Sequence, residues 1–115
     1  MEQIHVNATF PNISKANLDE FKSLAADALK ITREEPGNQQ YDWFFSDDES
    51  RCVVREIYAD SEAVLTHSGM VMDVLPRLVE LGGGLQVEAF GAPTPELLEA
   101  AEAFQPTWHS YFQGK

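Results

Sequence analysis

Residues 40–59 read QYDWFFSDDESRCVVREIYA. Two runs in this stretch, 40–46 and 51–59, are rich in the aromatic and β-branched residues that suit a pleated, half-buried surface. Between them lies Asp47-Asp48-Glu49-Ser50, a polar connection of hairpin length. The two runs are therefore expected to pair antiparallel. Tyr41, Trp43 and Phe45 fall on one face of the first strand, and Cys52, Val54, Glu56 and Tyr58 on one face of the second.

Upstream, residues 3–10 alternate apolar and polar side chains, so Ile4, Val6, Ala8 and Phe10 share a strand face. Over residues 14–32, Leu18, Phe21, Ala25, Ala28 and Leu29 recur at spacings of three and four and predict an amphipathic helix. Asn17 and Glu20 have capping-box spacing, with Ser14 as the other possible start, and Pro36-Gly37 closes the element. Downstream, Asp60 or Ser61 caps a helix through Ala63, Val64, Leu65 and His67; Gly69 breaks it, and a second piece over 71–81 is kinked or restarted at Pro76. Gly82-Gly83-Gly84 reads as a hinge before a strand carrying Leu85, Val87 and Ala89. Thr94 caps a short acidic helix over 95–103, and an aromatic strand follows over 107–112.

The order β-α-β-β-α-β with a helix-strand addition is that of an α+β, ferredoxin-like split βαβ fold. Its helices lie on one face of the sheet. Because strands 40–46 and 51–59 carry apolar or aromatic residues on both faces, the open face is expected to be covered by a second copy, giving a homodimer with sheets packed face to face.

With 115 residues the chain is expected to be a single domain, 1–115, its core over 3–91 and an extension over 92–115. Eight Lys plus Arg against nineteen Asp plus Glu give a formal charge of −11, and the basic residues are scattered, which argues against nucleic-acid and anionic-membrane partners. No apolar run is long enough to span a membrane, and the start, Met-Glu-Gln-Ile-His, lacks signal-peptide character. Cys52 has no partner in the chain, so a cytoplasmic location is expected and Cys52 itself reads as a small buried hydrophobe. Metal-binding Cys-x-x-Cys and His-Glu-x-x-His spacings, the phosphate-binding loop and the Gly-x-Ser-x-Gly elbow are absent.

Glu35-Pro36-Gly37, Tyr41, the Asp-rich turn, Arg55-Glu56-Ile57-Tyr58-Ala59-Asp60, Ser61-Glu62-Ala63 and His67, in that order and spacing, resemble the antibiotic biosynthesis monooxygenase domain. The resemblance covers roughly residues 3–91 and implies a dimeric α+β barrel. It also implies chemistry done, in several members, without metal, flavin or haem: an electron-rich phenol, quinol or anthrone is deprotonated and its carbanion reacts with O2. Asn7 sits on the first strand where the asparagine of active members falls. Tyr58 replaces the more usual tryptophan, and residues 71–81 contain no histidine to serve as the iron ligand of haem-degrading members, which disfavours haem.

On the residues themselves, His67 is the one histidine on an expected helix and has the titration range of a general base; Glu56 on the preceding strand could orient it. Asn7 could donate to a developing oxyanion, while Tyr41, Trp43 and Tyr58 could line a flat pocket for an aromatic or quinol-like substrate. Each has a structural alternative: Glu56 bonding backbone or Arg55, His67 closing a helix end, Asn7 satisfying a strand end, and the aromatics forming core or dimer interface. The corresponding functional alternatives are a cofactor-independent monooxygenase or quinol oxidase and a non-catalytic small-molecule-binding or regulatory module. A cavity of roughly 300 Å³ or more on which Asn7 and His67 converge would favour the enzyme.

Overall fold

The computed structural model describes residues 2–115, with β1 at Ile4–Phe10, α1 at Leu18–Thr32, β2 at Asn38–Phe45 and β3 at Cys52–Tyr58. Helices α2 (Ser61–Met70) and α3 (Leu75–Leu81), strand β4 (Gln86–Phe90), helix α4 (Pro95–Ala101), a 3-10 turn (Glu102–Phe104) and β5 (Thr107–His109) complete the order. The five strands form one sheet in the order β2-β3-β1-β4-β5. The first four strands pair antiparallel, and β5 adds to β4 in parallel. This is the expected ferredoxin-like α+β arrangement, with β1 at the centre. Among the described residues no helix is long and apolar enough to cross a membrane.

Period-two alternation turns one face of every strand toward the helices. Across β1, Ile4 and Phe10 are buried beneath them, as are Cys52, Val54 and Tyr58 across β3. Helix α1 brings Phe21, Ala25, Ala28 and Thr32 onto the sheet as one stripe at spacings of three and four. Phe21 is fully buried, with its ring edge-on to Phe10 at 5.0 Å, to Phe45 at 6.0 Å and to Trp43 at 6.1 Å. Burying such a ring contributes about 1.5–3 kcal/mol.

Two local expectations are corrected. Asn17 precedes α1 with φ −95° and ψ −11°, already helical, so its side chain makes no cap bond and the capping box does not form. Gly82-Gly83-Gly84 is a fixed helix stop instead of a hinge. Gly83 has φ +74°, Gly84 N–H bonds Val79 O at 2.9 Å, and Gly82 O accepts from Asn12 N at 2.9 Å. Pro76 stands in the first turn of α3 and restarts the helix there. Asp60 and Thr94 cap α2 and α4, accepting from Ala63 N at 2.9 Å and Leu97 N at 3.3 Å. In the hairpin turn, Asp48 Oδ1 accepts from Ser46 Oγ, Ser50 N and Ser50 Oγ.

Candidate functional site

Helix α1 ends at Thr32, and after a turn at Arg33 and Glu34 comes Glu35-Pro36-Gly37, with Pro36 preventing further helix. Gly37 is required by closeness: a Cβ there would stand 2.6 Å from the Cβ of Ala63 in α2. The strand-to-helix junction is thereby drawn against the end of α1, and Glu35 meets His67. His67 Nδ1 lies 3.1 Å from Glu35 Oε1 and 3.3 Å from Oε2, with both side chains buried. Donation of Nδ1–H to the carboxylate leaves Nε2 with its lone pair facing the sheet.

Nε2 faces Glu56, whose Oε1 is 3.9 Å away, beyond hydrogen-bond distance. Glu56 Oε1 accepts instead from the hydroxyl of Tyr58, two residues along the same strand face. The His67 ring is bracketed by Tyr41, centroids 4.9 Å apart, and Tyr58, 5.4 Å apart. Tyr41 is in turn edge-on to Trp43 at 5.7 Å. Glu56, His67, Tyr41, Trp43 and Tyr58 therefore come together, as β2, β3 and α2 all aim them at one place. The orienting carboxylate in the position that sequence reasoning gave to Glu56 is Glu35. Glu35 was legible only as part of a helix-ending Glu-Pro-Gly.

Burial governs the titration of this group. It pushes the Glu56 carboxyl up to about 7, opposed by Tyr58's hydroxyl and aided by the neighbouring Glu35. It pushes the His67 imidazole down to about 4 and raises Glu35 as well. Both phenols, Tyr41 and Tyr58, are raised, first by burial and then by the charge of Glu56, so both stay protonated. Near neutrality the site holds a neutral imidazole beside a carboxyl that readily takes or gives a proton. The Cys52 thiol, fully buried and pushed up to about 12, is inert packing.

These side chains form the polar end of a cavity of about 460 Å³ between sheet and helices, otherwise walled by apolar groups such as Val6, Val64, Leu75, Val87 and Trp108. Trp43 also lines the cavity, and its Nε1–H is buried without a hydrogen-bond partner. Among the described residues no group of three His, Cys, Asp or Glu side chains is arranged to hold a metal ion.

Asn7 is not part of this cluster. Val6 pairs with Glu56 across β1 and β3, whereas Asn7 pairs with Arg55, and Asn7 lines a second hollow of about 520 Å³ on the opposite face of the sheet with His5, Arg55, Phe90 and His109. The sheet separates Asn7 from His67. The inner cavity, about 460 Å³, is of the size expected of a ligand site, and of the two residues only His67 opens on it.

Residues 3–70 match the family model for antibiotic biosynthesis monooxygenase. The chain belongs to this family. Among solved structures, MupZ from Pseudomonas fluorescens is similar in fold, with a TM-score of 0.75 and 19% identity over 98% of this chain and 92% of that one. A candidate antibiotic biosynthesis monooxygenase from Caulobacter crescentus gives a TM-score of 0.69 and 25% identity, over 76% of this chain and 87% of its own. Rv0793 from Mycobacterium tuberculosis gives 0.70 and 24%, over 80% and 95%. Among curated proteins none matches. For an antibiotic biosynthesis monooxygenase domain, the cluster has the polar-headed, apolar-bodied form of a small-molecule site.

Proposed function

We propose that the chain is a cofactor-independent monooxygenase or quinol oxidase that takes an aromatic or quinol-like small molecule into the inner cavity and oxidises it with O2. One observation carries this reading: Glu56 Oε1 and His67 Nε2 stand 3.9 Å apart at the polar end of an otherwise apolar cavity. A phenolic hydroxyl entering there meets two proton acceptors, of which Glu56, pushed up to about 7, is matched to neutral pH. Glu56 takes the phenol proton, His67 held by Glu35 keeps the hydroxyl in place, and Trp43 stands beside Tyr41 in the pocket wall. Tyr41 and Tyr58 shape the pocket. The electron-rich anion then reacts with dioxygen at a ring carbon: one oxygen atom becomes a ring carbonyl and the other leaves as water, so that a phenol and O2 give a quinone and H2O.

The position of Asn7 favours a second reading, a binding or regulatory module without turnover, since the amide that would steady an oxyanion faces away from the cavity. Oxygen uptake by purified protein against hydroquinones, naphthoquinols and anthrones separates the two. Saturable uptake that falls about 100-fold in Glu56→Gln, with the melting temperature kept within a few degrees, supports the enzyme. Binding of the same compounds without uptake above autoxidation supports the module.

In the same reading residues 92–115 complete the domain begun by 3–91, and a second copy covers the open sheet face, where Phe44 is half exposed and Val53, Ile57 and Phe90 lie among polar neighbours. A dimer mass in light scattering at micromolar concentration and moderate salt is the expected result; a monomer mass overturns it.

A further inference from the structure

Strand register lays one row of side chains across the helix-facing side of the sheet. Tyr41 pairs with Glu56, Glu56 with Val6, Val6 with Ala89, and Ala89 with Trp108. All five line the inner cavity. Neighbouring strands are about 4.8 Å apart, so Glu56 and Trp108 stand at the two ends of a floor roughly 14 Å long. Between them the floor is made of two small side chains, Val6, partly buried, and Ala89, buried. One end is polar. The other end is lined by Leu97, Ala101, Phe104, Pro106 and Trp108, contributed by α4, the 3-10 turn, β5 and the link before it, beyond the residues that match the family model. Thr94 N–H donates to Ser61 Oγ at 3.1 Å, and Leu97 is buried, so this wall is fixed to α2 and not a loose tail.

We propose that the segment from Leu97 to Trp108 sets ligand length: it receives the apolar end of an elongated amphipathic molecule whose hydroxyl-bearing ring lies at Glu56 and His67. This rests on the reading of the inner cavity as the ligand site. Val6 and Ala89 line the cavity between the two ends, and apolar contact along it adds affinity for each methylene or ring carbon that reaches the far wall. Ala101, at the end of α4 and only partly buried, is where added bulk would shorten the cavity without touching the polar end.

The test is calorimetric titration of the whole chain with phenol, para-ethylphenol, para-butylphenol and para-hexylphenol. Affinity is expected to rise about fourfold per added methylene up to the longest probe. In Ala101→Phe the rise should stop at the shorter probes while phenol itself binds as before. In Trp108→Ala the increment for the longest probe should shrink. Melting temperatures and circular dichroism confirm that both variants are folded, and Ala101→Ser, which adds a single oxygen atom, should behave as the parent. A chain-length dependence unchanged in Ala101→Phe, with phenols still bound, overturns the length-setting wall alone. If no phenol binds to the parent, or if Glu56→Gln leaves phenol affinity unchanged, the reading of the polar end fails, and this one with it.

Discussion

Nδ1 of His67 lies 3.1 Å from Oε1 of Glu35, and this contact joins helix α2 to the turn that ends α1 across 32 residues of chain. It also selects the form of the ring. A carboxylate can only accept, so the ring nitrogen facing it carries the proton, and Nε2 is left to face Glu56. Glu35→Gln replaces a charged acceptor with a neutral amide that can donate as well. The variant is expected to lose about 1–3 kcal/mol of stability in urea titration. Its His67 ring, followed by nitrogen-15 NMR, should shift toward the form protonated at Nε2; an unchanged tautomer would show that Glu35 does not set it.

The two buried titrating groups act on stability with opposite signs. His67 is held at about 4 against an ordinary 6.5, so its favourable contribution is complete above 6.5 and is lost as pH falls toward 4. Glu56 is held at about 7 against an ordinary 4.5, so its contribution is complete below 4.5 and is lost as pH rises through 7. Glu35, also raised, acts in the same sense as Glu56. In the parent protein these slopes oppose each other between 4.5 and 6.5. Glu56→Gln should therefore lose stability on acidification through that range, and His67→Gln should lose it on raising the pH, each by up to about 3 kcal/mol. Urea midpoints measured at several pH values check both slopes, and equal slopes in the two variants would contradict the assignment.

Phe21 has no exposed surface and meets Phe10, Phe45 and Trp43 edge-on. Phe21→Ala is expected to cost about 3–5 kcal/mol, the range for removing a buried ring and leaving its cavity. Denaturant titration should show this loss with an unchanged slope; a loss below about 1 kcal/mol would mean that α1 does not seal the core at this point.

Gly83 combines φ +74° with a Cβ direction that ends 2.5 Å from the carbonyl oxygen of Asn12. Gly83→Ala should lower stability by roughly 1–3 kcal/mol, whereas a hinge would tolerate it. Thermal unfolding of the variant distinguishes the two directly.

The hinge expectation shows where sequence reading reaches its limit. Three consecutive glycines announce freedom, and only the contact of Gly82 and Gly83 with Asn12, from the far side of β1, reveals that the freedom is used to fit. The strands were legible because alternation is local: Ile4, Val6, Ala8 and Phe10 declare a shared face by spacing alone. Which residues stand opposite each other is not local. Asn7 and Glu56 both lie on central strands, but the register pairs Glu56 with Val6 and Asn7 with Arg55, and this single step puts them on opposite faces. Glu35 escaped notice for the same reason, since its partner is distant in the chain. The closing strand is shorter than its aromatic pattern over 107–112 suggests. Only Thr107–His109 pairs, because β4 offers a partner only from Glu88 to Phe90.

The row from Tyr41 to Trp108 is built from two portions of the chain that do not overlap. Glu35, Tyr41, Glu56, Tyr58 and His67 all precede residue 70, while Ala89, Leu97, Ala101, Phe104 and Trp108 all follow it. Backbone ladders set the separation of the two ends, and the bond from Thr94 N–H to Ser61 Oγ that ties α4 to α2 lies outside the proton-handling group. Inheritance can therefore edit them independently: exchange of the segment after β4 between relatives would alter the reach of the cavity while its proton-handling group passes on intact.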